Sequence, residues 1–412
     1  MKFLLVVPRF GPEIVGGAER LAWELATRAL GPDDVIEVAT TCAVDHHTWV
    51  NHHPPGVEQV HGLRVHRFEV RQRDVRTHAG LIARLHTTRA LNYLEELELM
   101  AQDVWSPTLQ EFLERKGADY DLIFFVPYLF GTTFWGAQAW PERSALIPCL
   151  HDEPQAHTTS MRQVFQACAG CLFNTAAEAR LAERLFGPLA GGVVGMGFDP
   201  VPPHLSTTRS VRPNLGRYFI YAGRIEEAKR VPIAVEYVQR YAKEHDPEVK
   251  LVLIGDGPYE PPRSARNIVR LGWVDEDEKF ALMRDAVALV HPSELESLSI
   301  VLMEAWRAGT PAIVASGSEV MRDHCAESGG GFVFGDYWQF AEAASRLLAE
   351  PALRDETGKM GHEYVERTSS WPAVRERFHA VTRTLVGPQR TAVGLSGRTL
   401  AISADAKESD HP

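Results

Sequence analysis

The sequence predicts an α/β protein built from two doubly wound parallel sheets, and three observations carry that expectation. Short, wholly apolar runs alternate with longer amphipathic segments along the whole chain, the pattern of strands buried on both faces and the helices that cover them. At 412 residues the chain exceeds the size at which one core keeps growing, so two domains of about 200 residues are expected. A proline-dense polar stretch, Asp199-Pro200-Val201-Pro202-Pro203-His204, then divides the chain near its middle.

Strands are expected in the first half at residues 3–7, 35–40, 63–68, 122–126, 145–150, 171–174 and 192–195. In the second half they fall at 218–222, 250–254, 268–271, 288–291, 312–315 and 332–334. A domain over 1–200, a hinge over 201–214 and a second domain over 215–370 follow from this division. Helices over about 337–349 and 352–366 come next, and Trp371-Pro372 opens a terminal helix, 371–386, able to cross back to the first half. Residues 387–412 are rich in Ser, Gly, Ala and charge without periodicity and read as a disordered tail.

Composition narrows the function classes. Forty-three basic against fifty-four acidic residues give a net charge of −11, which argues against general affinity for nucleic acid. The opening Met1-Lys2-Phe3-Leu4-Leu5-Val6-Val7-Pro8 is too short for a signal peptide, and no run of apolar residues is long enough to span a bilayer, so a soluble cytoplasmic protein is expected. Five cysteines make no disulfide framework, and Cys168-Ala169-Gly170-Cys171 is read as two plain thiols in spite of its redox-like spacing.

The chemistry concentrates after two strands of the second half. Gly223-Arg224 follows residues 218–222, with Lys229 five residues beyond the Arg. Glu296 and Glu304 flank the start of a helix expected from about Leu298 to the Gly309-Thr310-Pro311 stop. Ligands of open α/β sheets bind outside the carboxyl ends of strands, and unpaired N–H groups at a helix start bind anions. Leu298, Ser299 and Ile300 are therefore candidate diphosphate donors. Glu296, just before that anion site, suits a neutral sugar hydroxyl, while Glu304, about one and a half turns into the helix, suits a ribose diol. Two cations and two carboxylates fit a ligand carrying both phosphates and hydroxyls, such as a nucleotide sugar. The plainer alternatives are a capping box between Ser293 and Glu296, a helix-surface role for Glu304, and solvated cations.

These residues resemble the retaining GT-B glycosyltransferases of family four, and the resemblance covers nearly the whole chain. It rests on Gly223-Arg224, Lys229, Gly255-Asp256-Gly257, Glu296, Glu304-Ala305 and Gly309-Thr310-Pro311. It implies the GT-B fold, two Rossmann-like doubly wound parallel-sheet domains facing a central cleft. It also implies transfer of a sugar from a nucleoside diphosphate sugar to a hydroxyl acceptor with retention, without a metal or other cofactor. Arg224 and Lys229 would hold the diphosphate, Glu296 the transferred sugar, Glu304 the ribose, and Gly272-Trp273-Val274 would lie by the base. Gly16-Gly17-Ala18-Glu19-Arg20 resembles the family's first glycine loop, and His151-Asp152-Glu153 the place where a His faces the donor sugar. Asn174-Thr175-Ala176-Ala177-Glu178 reads as a helix cap facing the cleft. Ser297 and Ser299 stand where many members have glycine, which leaves the donor sugar open.

Two further clusters call for a reading. His46, His47, His52 and His53, with His61 and His66, lack the partners and spacing of a zinc site and are expected on loops facing the acceptor cleft. Residues 64–89 carry seven arginines (64, 67, 71, 73, 76, 84, 89) against two acids, and lead into a helical stretch from about 79 to 100. This segment is a solvated face, a lid over a phosphorylated acceptor, or a foot on anionic lipid. The acceptor itself, whether small molecule, natural product, glycan or lipid-linked sugar, is not legible. Competing functions are an epimerase or hydrolase of nucleotide sugars on the same plan, and a non-catalytic nucleotide-sugar binding protein.

Overall fold

The computed structural model describes residues 1–207 and 215–387. The remainder of the expected hinge, 208–214, and the expected tail from 388 lie outside the described residues.

In the first half the chain runs β1 (Lys2–Val7), α1 (Gly17–Arg28), β2 (Val35–Thr41), β3 (Gly56–Val60), β4 (Leu63–Phe68), α2 (Val75–Thr88), α3 (Tyr93–Ala101), α4 (Pro107–Lys116) and β5 (Leu122–Phe125). It continues with α5 (Gly131–Gly136), β6 (Ser144–Leu146), α6 (Thr159–Ala167), β7 (Gly170–Phe173), α7 (Ala176–Phe186), β8 (Gly191–Val193) and the short α8 (Pro203–Thr207). The second half holds β9 (Tyr218–Ala222), α9 (Val231–Glu244), β10 (Lys250–Ile254), β11 (Ile268–Gly272), α10 (Glu276–Asp285), β12 (Leu289–His291) and α11 (Ile300–Arg307). Then come β13 (Ala312–Ala315), α12 (Glu319–Ser328), β14 (Gly331–Phe334), α13 (Tyr337–Ala349), α14 (Pro351–Thr368) and α15 (Trp371–Val386).

Two sheets result. The first has the order β3-β4-β2-β1-β5-β6-β7-β8 and the second β11-β10-β9-β12-β13-β14. Every pairing is parallel except that of the edge strand β3 with β4. In the second sheet the chain leaves β9 toward β10 on one side and returns to pair it with β12 on the other. The carboxyl ends of β9 and β12 therefore flank a crevice of the kind in which such sheets bind ligands.

The strands form where the chain is apolar enough to be buried on both faces; β5, β7, β9 and β13 are buried at every position. Three differences from the sequence reading have local causes. β3 is mostly exposed and lacks a strand-like apolar run, so it is held by its hairpin to β4 rather than by burial. The helical stretch expected over 79–100 is two helices, because Arg89 ends α2 in the left-handed region and Asn92 opens α3 with a capping box to Glu95. Third, the strand run expected over 145–150 ends early: β6 stops at Leu146, before Pro148.

The terminal helix α15 packs on the first sheet. Phe378 meets the rings of Phe3 and Phe124 at 5.8 and 5.7 Å, and Arg377 donates to the Val194 carbonyl while Arg375 donates to that of Arg28. A continuous apolar cluster runs from Phe3 and Phe124 through Met196, Phe198 and Trp371 to Leu302 and Trp306, joining the two sheets on one side. Among the described residues no helix is long and apolar enough to cross a membrane. The arginine-rich segment is partly consumed internally. Arg67 is buried, donating to Glu58 and to the Phe10 carbonyl; Arg71 donates to Ala101 and covers the Trp105 ring; Arg84 pairs with Glu95.

Candidate functional site

The second sheet supplies most of the site. β9 ends at Ala222, and Gly223, Arg224 and Ile225 then run beside the Gly255-Asp256-Gly257 turn after β10. Gly255 has φ 118°, and a Cβ there would lie 2.0 Å from the Gly223 carbonyl oxygen, so the two loops approach as closely as they do only because this residue has no side chain. Its N–H donates to the Gly272 carbonyl, which fixes Gly272-Trp273-Val274 alongside; Trp273 is exposed and Val274 packs against the core.

Lys229 and Glu296 are brought together. The Lys229 Nζ lies 2.8 Å from Glu296 Oε1 and 3.4 Å from the Leu295 carbonyl. Burial by itself would raise the Glu296 carboxyl, but the Lys229 charge, with His291 and Ser293 beside it, pulls it down to about 2. Glu296 is thus a carboxylate at every working pH and has no proton to donate. The capping box with Ser293 does not form, because α11 starts at Ile300, not near Leu298, and its N-cap is Ser299 in the left-handed region. Leu298 turns into the core and Ile300 is half-buried.

Glu304 is buried rather than on a helix surface. Its Oε1 accepts from Lys279 of α10 at 3.0 Å and from Arg20 of α1 at 3.1 Å, and neither cation reaches Oε2. Arg20 comes from the first half, so this contact spans the cleft between the sheets. A second crossing lies beside it, where the Thr175 hydroxyl donates to the Ser297 carbonyl at 3.1 Å. Thr175 also caps α7, and the buried Glu178 accepts from the Asn174 and Leu150 N–H groups, which ties the ends of β6 and β7 to this crossing.

Arg224 stands apart from the other three. Its side chain is 57% exposed and its ion pair is with Glu226 at 3.2 Å. It faces the first half nonetheless. Burial, the neighbouring His47, and the charges of Arg9 and Arg224 hold His46 below its ordinary value, so the histidine loop lies within electrostatic reach of Arg224. Gly16 and Gly17 open α1 without a side-chain cap, Gly17 having open space where a Cβ would stand. Beneath them the buried Arg9 donates to Glu19 and to the Val44 carbonyl. His151, after β6, is partly exposed, and its nearest acid is Glu153 at 3.6 Å, not Glu296. Glu153 is itself held by the Tyr128 hydroxyl at 2.8 Å.

Sequence reasoning missed Arg9, Arg20, Lys279 and His291. A single Arg after an apolar strand, and a His at the end of one, were signals available for the first and the last; the other two are surface-like helix residues until the chain is folded. His291 is 3% exposed and neither ring nitrogen has a hydrogen-bond partner, Nε2 standing 3.6 Å from Glu296. Burial, helped by the Lys229 charge, lowers it to about 4. Its folded pKa lies below the unfolded value near 6.5, so the unfolded chain binds more protons between those limits and stability is lost as pH falls from 6.5 toward 4. Replacing His291 with Leu is therefore expected to shrink the acid loss over that window by up to about 3 kcal/mol, read as unfolding midpoints at pH 7 and pH 4.5 for both proteins. Equal acid slopes would refute it.

Among the described residues no three His, Cys, Asp or Glu side chains are grouped as metal ligands, and Cys168 and Cys171 are free thiols, burial pushing the first up to about 12.

Residues 216–350 match the family described as Glycosyl transferases group 1. Over 182 residues, 42% of the chain, it is 32% identical to 48% of a phosphatidyl-myo-inositol mannosyltransferase of Mycobacterium leprae. It is 26% identical over 357 residues to a D-inositol 3-phosphate glycosyltransferase of Streptomyces coelicolor, covering 73% of this chain and 72% of that one. The chain spans 48%, 66% and 63% of the length of three curated relatives that it matches. The fold is similar to that of sucrose-phosphate synthase from Thermosynechococcus elongatus, with TM-score 0.67, 18% identity and coverage of 93% and 98% of the two chains. It is also similar to Anabaena HepE in complex with UDP and glucose, with TM-score 0.66, 17% identity and coverage of 94% and 100%. The chain has the GT-B fold, and its residues 216–350 are similar to the group 1 glycosyl transferases.

Proposed function

We propose that this protein transfers a glycosyl unit from a nucleoside diphosphate sugar to a hydroxyl acceptor with retention of configuration, the donor held by the second sheet's crevice and the acceptor by the first half. The observation that carries the reading is the half-buried Lys229–Glu296 pair at 2.8 Å beside the uncapped start of α11. A lysine in that position meets the diphosphate, while a carboxylate held near pKa 2 accepts hydrogen bonds from sugar hydroxyls and remains charged throughout.

In this reading Lys229, Arg224 and the first N–H groups of α11 stabilise the charge that gathers on the departing diphosphate. Arg224, exposed and facing the histidine loop, closes on the phosphates when the halves approach. Glu296 orients the transferred sugar, and Glu304 offers Oε2 to the ribose while Arg20 and Lys279 hold Oε1. The base lies against Gly272-Trp273-Val274, and His151 with the Gly16-Gly17 turn faces the sugar from the first half. Glu296 is fully ionised against Lys229, so the acid half of a two-carboxylate displacement has no candidate in it. A front-side path, in which the leaving phosphate takes the acceptor proton, asks nothing of a protein base. No metal has a role in this scheme.

The test is a thermal-shift panel of UDP, GDP and ADP. A ligand that binds the folded form raises its midpoint, by about 2.7 kcal/mol of stability at a hundredfold excess over Kd. At least one diphosphate is expected to produce the shift, and its sugar conjugate to be consumed with an acceptor present. If no diphosphate shifts the midpoint, the reading fails; binding without transfer or hydrolysis would favour a non-catalytic binding protein.

A further inference from the structure

The outer strand of a sheet offers its unpaired N–H and C=O groups to any other chain, and proteins ordinarily blunt such edges with charge, proline, a bulge or a covering element. Three of the four sheet edges here are blunted. β3 carries Glu58, which pairs with Arg67; β8 is overlaid by α15; β11 carries Arg270 and shifts register against β10. β14 has none of these. Its residues, Gly331-Phe332-Val333-Phe334, are uncharged and run in unbroken register with β13, and among the described residues no strand lies on its other side.

The phase of β14 fixes what it offers. The Gly330 and Phe334 carbonyls accept from the N–H groups of Ala312 and Ser316, so alternate residues turn inward and Val333 turns its N–H and C=O outward. Val333 is 37% exposed. Beside it, between β14 and α13, lies a cavity of about 180 Å³ bordered by Phe332, Val333, Glu342 and Arg346. Glu342 and Arg346 stand four apart, the spacing at which a helix pairs opposite charges. Among the described residues neither makes an ion pair, and Arg346 lies over the Phe332 ring at 5.3 Å instead.

We infer that β14 is the contact surface of a homodimer, in which the edge is paired by the β14 of a second copy across a two-fold axis through Val333, perpendicular to the sheet. Val333 then exchanges both of its outward hydrogen bonds with its counterpart, and the two six-stranded sheets become one. Each α13 lies over β13 and β14, so strands spaced about 4.8 Å apart bring the two α13 helices to about 10 Å, the ordinary distance of packed helices. They run antiparallel across the axis. Glu342 and Arg346 border the cavity at the level of Val333, so the axis passes between them and each Glu342 meets the Arg346 of the other copy. One unpaired acid and one unpaired base at this spacing make the surface complementary to itself, which is what selects a second copy over a partner of a single charge. Pairing consumes the edge, so assembly stops at two. Strand direction reverses at the axis, so the two crevices open toward opposite ends and neither is covered. The inference does not depend on the proposed function.

The experiment is sedimentation velocity of the full chain across micromolar concentrations, with Glu342→Arg, Arg346→Glu and Val333→Lys compared with the natural protein and far-UV circular dichroism as the check on folding. A reversible dimer is expected for the natural protein. Each charge reversal sets like charges face to face twice and is expected to weaken the dimer about tenfold in Kd. Mixing the two reversed variants restores opposite charges on both sides of the axis, so association between them is expected to return to the natural strength, a rescue that damage to folding could not produce. Val333→Lys, which charges the bare edge, is expected to leave a folded monomer. A natural protein that stays monomeric, a dimer that both charge reversals leave intact, or growth beyond two copies would each overturn the inference.

Discussion

Replacing Lys229 with Ala is expected to lower turnover about 10²–10³-fold while the far-UV circular dichroism of the protein stays unchanged. The argument starts from position. Lys229 ends a single turn of 3-10 helix after β9, and the chain then passes through Arg230 in the left-handed region into α9, so the Lys229 side chain is aimed across the crevice at Glu296 and the Leu295 carbonyl. Its stem is mostly covered, and no other lysine or arginine makes an ion pair with Glu296 among the described residues. Arg224, more than half exposed and paired with Glu226, cannot take its place without rebuilding the loop.

Loss of Lys229 also strips Glu296 of its counter-ion, so some stability is expected to go with the activity. That confound is removable. In the double variant Lys229→Ala, Glu296→Gln the buried charge is gone as well, and the unfolding midpoint is expected to recover toward that of the natural protein while turnover does not. A kcat that falls with KM little changed would mark an interaction made mainly in the transition state. Near-normal turnover of the single variant would refute the role given to Lys229.

How much of this was visible in the chain differs by type of feature. β9, β10 and β13 were legible to the residue, because an apolar run bounded by a glycine or a polar turn is itself the physical reason for a buried parallel strand. β3 was not, since its exposed alternation has no cause within its own residues and depends on the hairpin with β4. The start of α11 was misplaced for a related reason: Ser299 lies in a backbone region that sequence rules reserve for glycine, and a rule that expects the usual cap must put the helix too early.

Within the site, Lys229 and Glu296 were legible as residue types at strand ends, though not as an ion pair. The partners of Glu304 were not legible at all. Arg20 lies 284 positions away in sequence, and although it closes the Gly16–Arg20 motif read from the sequence, nothing there pairs it with Glu304. Arg224 is the opposite case. Its place after the glycine predicts a crevice-facing cation, whereas its side chain is more than half exposed and paired with its chain neighbour Glu226, a contact that the spacing alone does not announce.

Replacing Phe378 with Ala is expected to cost about 3–5 kcal/mol and to lower the unfolding midpoint of the first half by several degrees. Phe378 lies in the last helix of the described chain, after every element of the second sheet, yet its ring packs edge-on against Phe3 of β1 and tilted against Phe124 of β5, the two central strands of the first sheet. It is 2% exposed, so truncation leaves a cavity beneath those strands that rigid strand pairing cannot close. A terminal helix that belonged to the second half would behave differently: the loss would be small and would fall on the second sheet. The two outcomes separate in one experiment, with Phe340→Ala as the reference, since Phe340 is fully buried against Phe219 and Phe334 of the second sheet. Phe378→Ala should weaken the first sheet and leave the second nearly as stable as before, because α15 is the strap that ties β1 and β5 to the chain leaving α14. A midpoint unchanged from the natural protein would show that the helix does not bear on the first sheet as its ring contacts require.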